Sequence, residues 1–398
     1  MMPWKEESVV EQRLRFVIDV RKREAPISAL CRRYEISRKT GYKWLARYEE
    51  AGTIAALNDR SRRPRHSPKR TSRAREAQVL AVRDAKGWGA EKISVVVGRT
   101  GLIIPSITVH RILKRHGRIR PQVVDRIASK RFARGSCNEL AQMDFKGEYR
   151  LGGGGKCYPL TLLDDCSRYL LGLWPLPTTE WLGVQEVLRE HFRAVGVPRE
   201  MLMDHGSTWY ANYNGHGLTK LSIWLIKQDI QLRFSGIHHP QTQGKVERLH
   251  GTLKKRTKHR GVPETMSEWR AWAAEFRREY NCERPHKALD NKTPQEVYRP
   301  DNLRPYQEQP REWEYRGGEV RQLDSRGGLY KYGSWFFVCK ALAKEWVRLD
   351  EFDNRLTVTF RNLTIREIDR QTGSSAMVLL SSEQSKALLR RTKVLPMS

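Results

Sequence analysis

Residues 139–174, ELAQMDFKGEYRLGGGGKCYPLTLLDDCSRYLLGLW, decide the fold. Apolar runs bounded by turn residues predict a strand over 140–151, a turn over 152–155 and a returning strand over 158–163. Asp-Asp-Cys-Ser-Arg then turns the chain into a third strand over 169–174. Beyond it the pattern alternates: a helix over about 179–195, a strand over 200–204, a helix near 218–228, a strand over 231–234 and a helix through residue 247. Three antiparallel strands followed by this alternation predict a mixed α/β sheet with helices on its faces. The four glycines before Lys156 do not form a phosphate loop. The G-x-x-x-x-G-K-[ST] spacing fails and the segment joins two strands, so no ATP use is expected.

Two acids fall on these strands, Asp144 on the first and Asp204 at the end of the strand over 200–204. A third, Glu247, lies in HHPQTQGKVERLHGTLKKR (238–256), on a basic helix opened by a Pro-Gln-Thr-Gln-Gly turn. Mg²⁺ prefers carboxylate, water and phosphate oxygens. Two such ions about 4 Å apart can activate an attacking hydroxyl and stabilise the leaving oxygen of an in-line displacement. A carboxylate shared between the ions and one outer carboxylate on each is the least a protein must supply. Asp144, Asp204 and Glu247 are therefore the expected catalytic residues and metal ligands, for two Mg²⁺ ions per site with Mn²⁺ as a substitute. Asp164 and Asp165 compete for this role. Adjacent residues of an extended chain point to opposite faces, and Asp-Asp-x-Ser-Arg reads as a turn, so a structural role is expected for them. Glu148 is assigned to the rim and Asp229 to solvent.

The partner follows from charge. Against 45 acidic residues stand 74 Lys and Arg, a formal net charge of +29. A protein so basic needs a polyanion. There is no run of 18 apolar residues and no signal-peptide core near the start, so no membrane partner is expected. The six cysteines form no C-x-x-C pair and read as reduced thiols of a cytoplasmic protein.

At 398 residues several domains are expected. Val10, Leu14, Val17 and Val20 keep a helical period, a short helix follows Pro26, and a third runs from a Ser37 cap to Gly52. This reads as a helix-turn-helix presenting Arg38, Lys39, Tyr42 and Lys43, with Trp44, Leu45 and Tyr48 packed inside. An ordinary three-helix bundle with a solvated basic face fits the same pattern. RSRRPRHSPKRTSRAR (60–75) cannot build a core. It reads as a basic arm along DNA, with Arg60, Arg62, Arg63 and Arg65 as contacts. A second helix-turn-helix places Ser106, Thr108, His110 and Arg111 outside and Ile107, Val109, Ile112 and Leu113 mostly in its core. On and beside the Glu247 helix, Lys245, Arg248, Lys254, Lys255 and Arg256 are expected to hold phosphates, with His239 and Gln243 lining the same groove. Short strands over 327–339, 345–350, 356–360 and 363–369 suggest a small β-barrel. The expected domains are 1–57 (first helix-turn-helix), 58–75 (linker), 76–120 (second helix-turn-helix), 121–135 (connector), 136–300 (catalytic core) and 301–398 (linker, barrel and tail).

The acidic trio, with HPQTQGKVERLHGTLK and the later YNCERPHKAL, resembles the DDE transposases of bacterial insertion sequences that share the retroviral-integrase core, above all the single-frame group numbered four-eighty-one. The resemblance implies a ribonuclease-H-like core with the trio as metal ligands and an SH3-like barrel as the tail. It implies an enzyme that binds terminal inverted repeats in double-stranded DNA, hydrolyses the 3′ ends and joins the freed 3′-OH to target DNA. A dimer or larger homo-oligomer is implied, since two ends must be held together. Asp204-His205-Gly206 departs from the usual Asp-Asn-Gly, and 42 residues separate Asp204 from Glu247, more than is common. The rival readings are a DNA-binding regulator that has lost activity and a ribonuclease of the same fold.

Overall fold

A computed structural model describes residues 8–60, 70–119, 133–211, 217–234 and 244–381. The chain divides into two compact units, Met1–Thr71 and Ser72–Ser398.

The first unit holds α1 (Val9–Arg21), α2 (Ile27–Arg33) and α3 (Arg38–Ala51). Ser8 and Glu11 close a capping box on α1, Ser37 caps α3 by accepting from the Thr40 N–H, and Gly52 ends α3 with φ of 64°. Phe16, Val17, Leu30, Cys31, Trp44 and Leu57 form its core. Gly41 is required where the helices meet, because a Cβ there would lie 2.7 Å from Cys31 Sγ. Arg38, Lys39, Tyr42 and Lys43 are exposed on α3, and so is Arg60. Arg62, Arg63 and Arg65 lie outside the described residues.

The second unit opens with α4 (Arg73–Lys86), α5 (Ala90–Arg99) and α6 (Ser106–Arg115), packed around Val79, Ile93, Val97, Val109, Ile112 and Leu113. Ser106, His110 and Arg111 are exposed as expected, but Thr108 is half-buried and Ile107 is 57% exposed. The buried stripe of α6 runs through residues 109, 112 and 113, and a residue two positions before 109 falls on the opposite side of a helix. Ile107 is therefore surface, not core.

The central sheet contains β1 (Leu140–Phe145), β2 (Tyr149–Arg150), β3 (Lys156–Asp164), β4 (Leu170–Leu176) and β5 (Glu200–Met203). A small pair, β6 (Tyr210–Ala211) with β7 (Gly217–Leu218), precedes the last sheet strand, β8 (Gln231–Phe234). β3 is antiparallel to β4 and β1, while β5 is parallel to both β1 and β8, so the sheet is mixed as expected. The strand expected over 140–151 is broken in two. Gly147, with φ of 94°, turns the chain between β1 and β2, and Glu148 pairs with Lys156 at the rim. Helices cover both faces. α7 (Trp181–Val195) and α8 (Lys220–Lys227) pack on one through Val184, Leu188, Leu221 and Leu225. On the other, α9 (Gly244–Arg260) and α10 (Met266–Arg278) bring Val246, Leu249, Leu253 and Phe276 against Leu163, Leu170 and Leu173.

After the short α11 (Pro294–Val297) the chain forms an all-antiparallel sheet. Its strands are β9 (Glu319–Gln322), β12 (Trp346–Phe352), β13 (Arg355–Phe360), β14 (Leu363–Asp369) and β15 (Ser375–Ser381), beside a hairpin of β10 (Gly328–Lys331) and β11 (Ser334–Phe337). Among the described residues the ladder runs 15-14-13-12-9 and stays open, so no closed barrel forms. The reason lies in where its apolar face is buried. Val347, Leu356, Val358 and Ile365 join the same core cluster as the α8 residues, and Arg361 donates to the Lys227 carbonyl at the end of α8. A sheet that buries its face on a neighbour has no need to roll on itself.

Candidate active site

Strand register brings two of the three acids together. Leu140 pairs with Glu200 and Gln142 with Leu202 across parallel β1 and β5. The same offset sets Asp144 level with Asp204 at the carboxyl ends of both strands, where open sheets place their ligands. α9 packs beside them. Its buried residues Val246, Leu249, His250 and Leu253 follow a helical stripe, and Glu247 stands exposed next to that stripe. His250, one turn after Glu247, brings Nδ1 to 3.6 Å from Asp144 Oδ2.

Local contacts fix the Asp204 carboxylate. Its Oδ1 accepts from the Gly206 N–H at 2.8 Å and from the Trp209 indole N–H at 2.8 Å. Trp209 is fully buried and stacks on Phe145, with ring centroids 5.6 Å apart and planes 9° from parallel. The neighbour of Asp144 thus braces the residue that holds Asp204. His205 packs edge-on against Tyr210, with centroids 4.4 Å apart, and lies 5.9 Å from the Phe234 ring. The His205 ring thus packs among aromatic side chains. Part of the long spacing before Glu247 is taken up by the β6–β7 pair and α8. A Cβ on Gly206 would fall 2.9 Å from Asp204 Oδ1. Gly206→Ala should therefore push the carboxylate aside and cut any activity that depends on it by at least ~10-fold, since misplacement of about 1 Å can cost ~100-fold. Kinetics beside an unchanged thermal melt would check this, and wild-type rates in the variant would refute it.

Burial first, then the charges of Asp204 and Glu247, raises the Asp144 carboxyl to about 7, against the opposing backbone hydrogen bond at Phe145 and the charge of Lys146. His250 is pushed down to about 3 by burial and by Lys146. Among the described residues no group of three or more His, Cys, Asp or Glu side chains closes into a ready metal cage. The charges of Asp204 and Glu247 both bear on the Asp144 carboxyl. Excess negative charge on oxygen donors alone suits a hard divalent cation.

The remaining candidates separate. Arg248, Lys254 and Lys255 are exposed along α9. Lys245 turns inward, forming an ion pair with Asp165 and donating to the Asp165 carbonyl at 3.0 Å. Arg256 is buried against Glu279 and donates to the Ala85 carbonyl at 2.8 Å. Neither is the phosphate contact expected, because each lies on the packed side of α9. His239 and Gln243 fall outside the described residues. Asp164 accepts from the Asn138 and Ser167 N–H groups, and Asp165 from the Arg134 N–H and Gln142 Nε2. Asp164 pairs with Ala141, at the other end of β1 from Asp144. Sequence reasoning passed over Trp209, His250 and Asn281. Asn281 accepts from the Leu170 N–H and donates to its carbonyl, as a paired strand residue would, which tethers YNCERPHKAL to β4.

Comparison with known proteins gives matches along most of the described chain. Integrase core domain models match residues 136–240 and 228–294, a helix-turn-helix domain model matches 12–65, and a homeodomain-like model matches 40–113. An insertion element IS407 uncharacterized 31.7 kDa protein of Burkholderia multivorans is 23% identical over 232 residues, 56% of this chain and 81% of that protein. The HTLV-2 integrase catalytic core domain, solved in complex with magnesium, is similar at 13% identity and a TM-score of 0.33, over 42% of this chain and 99% of that one. A simian T-cell lymphotropic virus intasome, solved with a PP2A regulatory subunit, aligns at 10% identity and a TM-score of 0.37, over 70% of this chain and 91% of that one. Integrase-core matches over the mixed sheet, helix-turn-helix matches ahead of it and an insertion-element relative support the resemblance to insertion-sequence transposases with an integrase-like core.

Proposed function

We propose that the protein cuts the 3′ ends of its own element and joins them to target DNA by transesterification. The observation that carries this reading is the parallel register of β1 and β5, which, continued by two residues, sets Asp144 level with Asp204, with Glu247 on the helix beside them. These three carboxylates would hold the divalent cations, Mg²⁺ or Mn²⁺. When bound, such ions activate the attacking hydroxyl and neutralise the leaving oxygen. Gly206 and Trp209 keep Asp204 oriented, and Arg248, Lys254 and Lys255 offer exposed charge to phosphates beside the site. The helix-turn-helix faces at Arg38–Lys43 and at Ser106, His110 and Arg111 would read the terminal inverted repeats. The tail sheet, in the place of an SH3-like barrel, would add backbone contacts. Two ends require at least a dimer, working in the bacterial cytoplasm at the nucleoid.

The test uses a labelled duplex taken from DNA flanking the reading frame. With Mg²⁺ the full chain should nick its 3′ end and then transfer that end into a supercoiled plasmid, and chelation should abolish both steps. Failure to cleave specific ends, or a preference for RNA–DNA hybrid, would overturn the proposal.

A further inference from the structure

Ile103 and Ile107, in the second helix-turn-helix, stay 85% and 57% exposed beside a well-filled core. The chain around them is held in place. On either side of Ile103, the Leu102 N–H donates to the Val97 carbonyl at 3.0 Å, and the Ser94 hydroxyl donates to the Ile104 carbonyl at 2.6 Å. Pro105 caps α6, so Ile104 before the cap and Val109 four residues after it stand at the positions of a hydrophobic staple. Both are buried in the same cluster. That staple sets the entry of the chain into α6 and leaves Ile103 outside. On the outward face of α6, Ile107, His110, Arg111 and Lys114 follow one another at helical spacing, all exposed. The helix contains no acid. Ties to the rest of the unit run through α4 and α5, where Lys86 pairs with Glu279 and Glu283, and Arg99 with Glu296.

We propose that Ile103 and Ile107 read thymines, packing on their 5-methyl groups in the major groove that α6 enters. This rests on the reading that the second helix-turn-helix binds the terminal inverted repeats. In such a motif the N-terminal residues of the second helix meet base edges, and Ile107 is the second residue of α6. An isoleucine side chain has no donor or acceptor, so the base feature it distinguishes in that groove is the thymine methyl. Arg111 and Lys114 on the same face supply charge for the phosphates. The same charges oppose packing of this face on a second copy of itself. The apolar pair thus adds sequence preference where charge alone adds affinity.

The experiment titrates the full-length protein by gel shift, at one fixed salt concentration, on a duplex carrying the element's end, taken from DNA flanking the reading frame. The same duplex is then made with single thymines replaced by deoxyuridine, which keeps the base pair and removes only the methyl. Wild type should bind about 4-fold more weakly at the positions the pair touches, the value of one buried methyl. The double variant Ile103→Ala/Ile107→Ala should bind the unmodified end at least ~4-fold more weakly and show no further loss at those positions. Both changes lie on the surface, so the thermal melt should be unchanged. Equal deoxyuridine losses in wild type and the double variant overturn the role of the isoleucines, and so does a wild type indifferent to deoxyuridine at every position. In either case specific end binding leaves the inverted-repeat reading standing. Altered sedimentation of the free double variant, with its deoxyuridine losses intact, assigns the pair to self-association and overturns the proposal as well. No preference for the end over a scrambled duplex overturns both readings.

Discussion

Glu247→Gln should abolish measurable cleavage of a transposon end, by at least ~1,000-fold, while the protein folds and binds DNA as before. The size follows from the role proposed for the carboxylate. In the proposed reaction, catalysis would depend on stabilising charge that develops on phosphoryl and leaving oxygens, and loss of a single stabilising group in such sites costs ~100–1,000-fold. A neutral amide in place of a charged ligand weakens a metal clamp that serves both attacking and leaving groups, so the upper end is expected. The selectivity follows from position. Glu247 is exposed on α9, outside the Val246–Leu249–Leu253 stripe, so the isosteric change should move stability by no more than about 0.5 kcal/mol. It also removes one of the charges that raise the Asp144 carboxyl, which leaves the fold nothing to compensate. Single-turnover cleavage of a labelled end, beside a gel-shift titration on the same DNA, measures both halves. Cleavage within ~10-fold of wild type would remove Glu247 from the site.

The candidate acids stood out in the sequence because they sit on elements with strong local signals. Asp144 and Asp204 lie on apolar runs that can only be strands, and one register offset then makes them neighbours. The supports were harder to read, because they depend on which side of a helix a residue faces. Lys245 and Arg256 look like their exposed neighbours Lys254 and Lys255 in a list of charges. The stripe through Val246, Leu249 and Leu253 continues to residue 256 at helical spacing, a signal that the expectation of a phosphate contact at Arg256 left unused. His250 lies on the same stripe, between Val246 and Leu253. Lys245 needed the position of Asp165, a contact 80 residues away in sequence. The tail shows the opposite limit. Its strands were visible, but the apolar face of that sheet is buried in the same core cluster as α8, a long-range placement that strand periodicity does not carry.

The inward turn of Arg256 leads to the largest expected change in stability. Arg256 and Glu279 are each 5% exposed at the side chain, and Lys86 reaches the same carboxylate at 3.2 Å and Glu283 at 2.6 Å. Arg256 also donates to the Ala85 carbonyl in the last turn of α4, so the cluster fastens α4 to α9 and to the segment after α10. Removing one partner of a buried ion pair leaves an uncompensated charge, at ~3–5 kcal/mol. The two halves should not be equal. Glu279→Gln leaves the buried Arg256 facing Lys86 with no charge between them, whereas Arg256→Met leaves Glu279 with Lys86, whose side chain keeps 21% exposure. Glu279→Gln should therefore reach the upper part of that range and Arg256→Met the lower. Arg256→Met combined with Glu279→Leu should recover much of the loss, because an apolar pair of similar volume carries no desolvation cost. Urea unfolding, compared at a common m-value, measures all three. If Glu279→Gln unfolded within about 1 kcal/mol of wild type, the cluster would be a surface ion pair in energetic terms, and α4 would be held to α9 by something else.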